Sequence, residues 1–285
     1  MAVTTTIDPQ LATTLTDARL QVHHAAQLAT AMGISYLPRR SDDSHTNLEW
    51  LSAVGVLASH VVPGDPPFRI GVRVADLTLC MLSGGDRLLG TIPLHGRTID
   101  DAAAWIRERI TDAHADASRF TLARHYTIPH HRVDDGAAFD VGDRASFEQL
   151  SAWFELAAST LGRVRTAHQG SDIRCWPHHF DIATLVTIAP GRTVGAGLEP
   201  GDVYYDEPYF YVNMSPAPGV DALTATLGGG GFWHTREWLG AVLPGSHLGD
   251  GARLREQVDA FLDSAVDACR ALVAGENQIA GATSP

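Results

Sequence analysis

Apolar residues recur at two periods along this chain, and each change of period marks an element. Leu20, His24, Leu28 and Ala31 share one helical face, so a first helix is expected over 16–32, capped by Thr16 and closed by Gly33. A polar loop, 38–47, leads into an apolar run from Trp50 to Val62, which the GDPPF segment at 64–68 breaks. Alternation follows: Phe68, Ile70, Val72 and Val74 predict one strand, and 77–82 and 88–92 predict two more, joined in a hairpin by Ser83-Gly84-Gly85-Asp86. Ala102, Ile106 and Ile110 define a second helix over 100–114, capped by Thr98. Residues 115–143 are irregular and rich in His, Asp and Gly. A third helix is expected over 146–167, with Ser146 and Gln149 in capping-box spacing. Strands are then expected at 173–176, 180–189, 193–198, 208–214 and 237–243, interrupted by four glycines at 228–231. A last helix over 253–273 carries Val258, Leu262 and Val266, and 276–285 reads as a loose tail.

Runs of strands between single helices predict an α+β fold, with a mostly antiparallel sheet or sheets and about four helices packed on one face. The glycines of 195–201 lack dinucleotide-fingerprint spacing and no helix follows them, which argues against a Rossmann unit. One domain over 1–285 is expected, with 1–143 and 144–275 as its natural sub-halves.

Composition narrows the chemistry. Of 285 residues, 21 are basic and 33 acidic, for a net charge of −12. An acidic surface repels phosphate backbones, so neither nucleic acid nor an anionic membrane is expected as a partner. Every basic residue is an arginine, which excludes lysine-dependent Schiff-base and P-loop chemistry. The first ten residues carry neither a basic nor an apolar signal region, and the three cysteines show no metal or disulfide spacing. A cytoplasmic protein with reduced, buried thiols is expected, from a GC-rich bacterial source, with homo-oligomerisation left open.

One segment differs in texture. Residues 174–237 make up 64 of 285 positions yet hold six of the twelve tryptophans and tyrosines, mixed with glycines, as a pocket for an organic ligand requires. Trp176, Tyr209, Tyr211 and Trp233 are the expected substrate-binding residues. His179-x-Asp181 with the distant His234 has the ligand types of a 2-His-1-carboxylate site for iron or zinc, because alternate residues of a strand share a face. Metal-free chemistry uses the same neighbourhood, with His178 or His179 as general base, Asp181 or Glu207 orienting it and Arg236 clamping a substrate carboxylate. An enzyme acting on a small organic substrate, an oxygenase or hydrolase if metal-dependent, is the first expectation. A non-catalytic binding protein using the aromatic pocket is the second, and a structural or partner-binding protein the third.

Two resemblances bear on this. His179-x-Asp181 and His234, 53 positions beyond Asp181, are similar to the metal-ligand pattern of 2-oxoglutarate-dependent oxygenases. Where those enzymes carry a basic residue for the cosubstrate, this chain reads Leu243-Pro244-Gly245. The motifs Thr91-Ile92-Pro93-Leu94, Phe147 to Phe154, Phe180-Asp181-Ile182-Ala183 and Phe210-Tyr211-Val212-Asn213 resemble a bacterial domain-of-unknown-function family with a Phe-Asp-Leu-Ala strand. That resemblance, over about 70–220, implies a shared fold and a shared Asp181, and no activity.

Overall fold

The computed structural model describes residues 6–280 and has two antiparallel sheets with four α-helices, an α+β architecture. The chain divides into two compact units: one holds Thr14–Glu155 and Arg174–Asp181, the other Thr6–Thr13, Leu156–Ile173 and residues 182–280. No helix among the described residues is long and apolar enough to cross a membrane.

In the first unit α1 (Thr16–Tyr36) lies against β2 (Val56–Ala58) and β3 (Phe68–Arg73). These strands belong to a sheet in the order β1 (Glu49–Leu51), β2, β3, β4 (Thr78–Ser83), β5 (Leu88–Pro93). The expected hairpin is present, with Thr78 opposite Pro93 and Cys80 opposite Thr91. Helix α1 runs one turn past its expected end, and Gly33 lies inside it. A Cβ there would sit 2.0 Å from the His45 carbonyl oxygen, so this glycine admits a crossing chain and caps nothing. The helix is buried nearly all round, including both His23 and His24. Burial of polar groups requires acceptors: His23 Nε2 and Gln27 Nε2 donate to the Pro177 carbonyl at 2.8 and 2.9 Å, and His24 Nε2 donates to the Pro129 carbonyl at 3.0 Å. The irregular stretch 115–143 is therefore bound to the polar residues of α1, further through Gln21 to Asp140 and His131 to Asp17.

Helix α2 (Ile99–Asp112) starts in a full capping box made by Thr98 and Asp101. Helix α3 (Arg144–His168) starts two residues early because Asp143 accepts from the Ser146 N–H and hydroxyl, displacing Ser146 as the cap. The boundary between the units falls within α3, and the two-residue β6 (Arg174–Cys175), back in the first unit, pairs with Leu48 through Cys175.

In the second unit the strands run in the order β10 (Phe232–His234), β11 (Gly240–Pro244), β9 (Tyr209–Ser215), β8 (Arg192–Glu199), β7 (Ile182–Ala189). Helix α4 (Gly251–Ala280) crosses β7, β8, β9 and β11, burying Val258, Phe261, Leu262, Ala265, Val266, Cys269 and Val273 at helical spacing. Each large side chain so buried contributes about 1.5–3 kcal/mol. The helix continues beyond Gly275 where a loose tail was expected; residues 281–285 lie outside the described ones. Cys80, Cys175 and Cys269 are free and buried, and burial pushes the Cys80 and Cys269 thiols up to about 11 and 12.

Candidate functional site

The alternation of β9 and its neighbours sorts side chains onto two faces. Phe210, Val212 and Met214 of β9 are buried, while Tyr211 and Asn213 point to the opposite face with Gly195, Gly197 and Gly240. Those glycines make room. A Cβ at Gly197 would lie 2.6 Å from Tyr211 Oη, and one at Gly240 would lie 2.4 Å from the Trp238 ring. The mixture of glycines and aromatics noted in the sequence is thus a sheet face on which flat rings lie close to the backbone.

Beside these rings is a pocket of about 440 Å³ lined by Val203, Tyr204, Tyr205 and residues 232–237. One wall is the β8–β9 connection. Asp202 shapes it, accepting from the backbone N–H of Tyr204 and Tyr205 at 2.8 and 3.0 Å and from Tyr209 Oη at 2.8 Å. Glu207 fixes its far end, accepting from the Ser246 N–H at 2.6 Å and hydroxyl at 2.9 Å. The other wall is β10 and the turn after it.

At the back of the pocket Tyr205 Oη and His234 Nδ1 are 2.8 Å apart. The His234 ring stacks on Trp238, with centroids 4.6 Å apart and planes 20° apart, and meets Tyr204 edge-on at 5.9 Å. Its Nε2 is buried without a hydrogen bond, and Glu237 Oε2 lies 3.8 Å from it. The Trp238 Nε1 is likewise buried without an acceptor. Arg236 is exposed, and among the described residues no carboxylate pairs with its guanidinium. Tyr204 and Phe232 expose 45% and 37% of their surface, an apolar rim beside a free cation. Burial raises the Tyr205 phenol above its ordinary value, and the Asp202 and Glu237 carboxylates add to the effect.

Of the residues singled out from sequence, Trp233, His234 and Arg236 line this pocket. Tyr209 is buried behind it, its ring 4.8 Å from that of Tyr205, and Tyr211 lies over Gly197. Glu207 holds the wall and orients no histidine. Tyr204, Tyr205 and Glu237 were not singled out: the tyrosines were counted only as part of an aromatic cluster, and nothing in spacing distinguishes Glu237.

Trp176, His178, His179 and Asp181 belong to the first unit, whereas His234 belongs to the second. The expected strand through 180–181 is a tight turn instead. Phe180 N–H donates to the Trp176 carbonyl at 2.6 Å, Trp176 N–H donates to the Asp181 carbonyl at 2.8 Å, and Phe180 takes a φ of 76°. The alternate-residue argument that put His179 and Asp181 on one face therefore fails at its premise. The turn is held by a Leu48–Cys175 bridge and by the Phe180 ring, which stacks on His23 at 4.7 Å and packs on Phe154 at 5.5 Å. His178 sits among Trp176, Tyr126 and His179, and burial, followed by the neighbouring His179, lowers its pKa. Among the described residues no group of three or more His, Cys, Asp or Glu is placed to hold a metal ion.

No protein-family model, curated protein or solved structure matches this chain.

Proposed function

We propose that the second unit binds a small organic acid with a flat ring, and that the protein acts on it there. One observation carries this reading: the unpaired Arg236 guanidinium stands at the rim of an aromatic-lined pocket of about 440 Å³, a size suited to a small molecule. Tyr204, Phe232 and Trp233 supply flat apolar area for a ring. Arg236 offers a planar, always-charged fork that matches a carboxylate. The buried, unbonded Trp238 Nε1 adds polar capacity behind the rim. The expected iron or zinc ligands are divided between the two units, so the reading uses none of them in that role.

Titration with phenylacetate, followed by tryptophan fluorescence, tests the proposal. Saturable binding is expected, with Arg236→Gln and Tyr204→Ala each weakening it about tenfold or more, the order of one charged hydrogen bond or one buried ring face. Both side chains are exposed, so the folded state should survive either change. Unchanged affinity in both variants would remove the pocket from consideration.

A further inference from the structure

We infer that Tyr205 is an acid–base residue of this pocket, with His234 exchanging its proton and Glu237 supplying the counter-charge, and that the site shifts a proton within a 2-oxo acid. The inference rests on the ligand reading above and names the substrate class and the chemistry.

Three features combine. Tyr205 and His234 come from separate segments and meet at 2.8 Å, oxygen to Nδ1. The ring is held by stacking on Trp238, which limits its freedom to turn. Glu237 follows three residues later with a φ of 42°, and its carboxylate faces Nε2 at 3.8 Å. A left-handed conformation at a non-glycine residue is strained and persists where the surroundings enforce it.

A neutral imidazole carries one N–H, and a carboxylate facing Nε2 favours the proton there. Nδ1 is then an acceptor, and the Tyr205 hydroxyl donates to it. Base, orienting charge and hydroxyl form a chain of the kind that activates a weak acid for proton transfer. Because burial holds the phenol neutral, no resident tyrosinate is required. A C–H bond of the ligand next to its 2-oxo group breaks, and that proton bonds to Tyr205 Oη as the phenol proton passes to His234 Nδ1. The electron pair left behind moves into the carbonyl as an enolate. The enolate oxygen then takes a proton from Tyr205, and His234 returns its own. The net change is keto to enol, with no oxidant, reductant or second reactant consumed. Arg236 holds the carboxylate, and its charge also favours the enolate.

Phenylpyruvate is a suitable probe, having a ring, a carboxylate and acidic benzylic hydrogens. Exchange of those hydrogens in D2O is followed by proton NMR, with binding measured in parallel by tryptophan fluorescence. The wild-type protein should bind the probe and exchange its hydrogens faster than buffer does. Tyr205→Phe should keep affinity within about twofold and lose about a hundredfold or more of the exchange rate. His234→Gln should lower kcat at unchanged KM, and added imidazole should restore part of the rate to His234→Gly, which a merely structural role would not allow. Binding at the buffer exchange rate, or wild-type exchange by folded Tyr205→Phe, would overturn the inference and leave the ligand reading standing. Absence of binding would overturn both.

Discussion

At Gly33 a Cβ would press on the His45 carbonyl oxygen at 2.0 Å, whereas at Gly162, inside α3, it would meet nothing within 4 Å. Alanine should therefore act with opposite signs at the two positions. Gly33→Ala is expected to cost about 1–3 kcal/mol or more by overpacking, and Gly162→Ala to gain about 0.5–1 kcal/mol by helix propensity. Urea midpoints at constant slope read both. Neither sign is visible in sequence, where Gly33 reads as a helix stop because only the folded chain brings residues 45–46 across it. The same holds for Tyr205 and Glu237. Arg236, Trp233 and His234 stood out as residue types with chemistry in an aromatic segment, but a tyrosine among tyrosines acquires a role only when a histidine arrives beside it.

Helix α2 begins as its sequence says, because the capping box is a contact between residues three apart. Thr98→Ala is expected to cost about 1 kcal/mol, read in the same denaturation assay, since it leaves the Asp101 N–H without its acceptor. Strands β3, β4 and β5 were legible for a related reason: their alternation and their tight turn are local. Where elements were misread, distant contacts decide. Residues 180–181 open the expected 180–189 strand but belong to a turn, because Phe180 is drawn between His23 and Phe154 and the Leu48–Cys175 bridge fixes the start of that turn. Strand β10 is three residues long and follows four glycines, too short for periodicity to show. Its pairing with β11 brings His234 to the pocket.

For the molecule as a whole, the buried histidines of α1 predict an acid-sensitive fold. Burial foremost lowers the His23 pKa to about 3, against the opposing hydrogen bond to Pro177, and burial also lowers that of His24. An unfolded histidine takes up its proton near 6.5, and folded His23 does so only near 3. Between these values the unfolded chain binds more protons, so stability is full above the upper one and falls with pH below it. The slope is at most about 1.4 kcal/mol per pH unit for each such histidine. Denaturation at several pH values should show that decline, and His23→Gln should flatten it relative to wild type. The net charge of −12 bears on the pocket too, because a surface that repels anions makes an unpaired arginine at an aromatic rim the local exception. The most direct test of that site is calorimetric titration of phenylacetate and its neutral amide into the wild-type protein and Arg236→Gln. The account predicts one-to-one binding of the acid, at least about tenfold weaker binding of the amide, and loss of that preference in the variant. Equal affinity for acid and amide, or no binding of either, would contradict it.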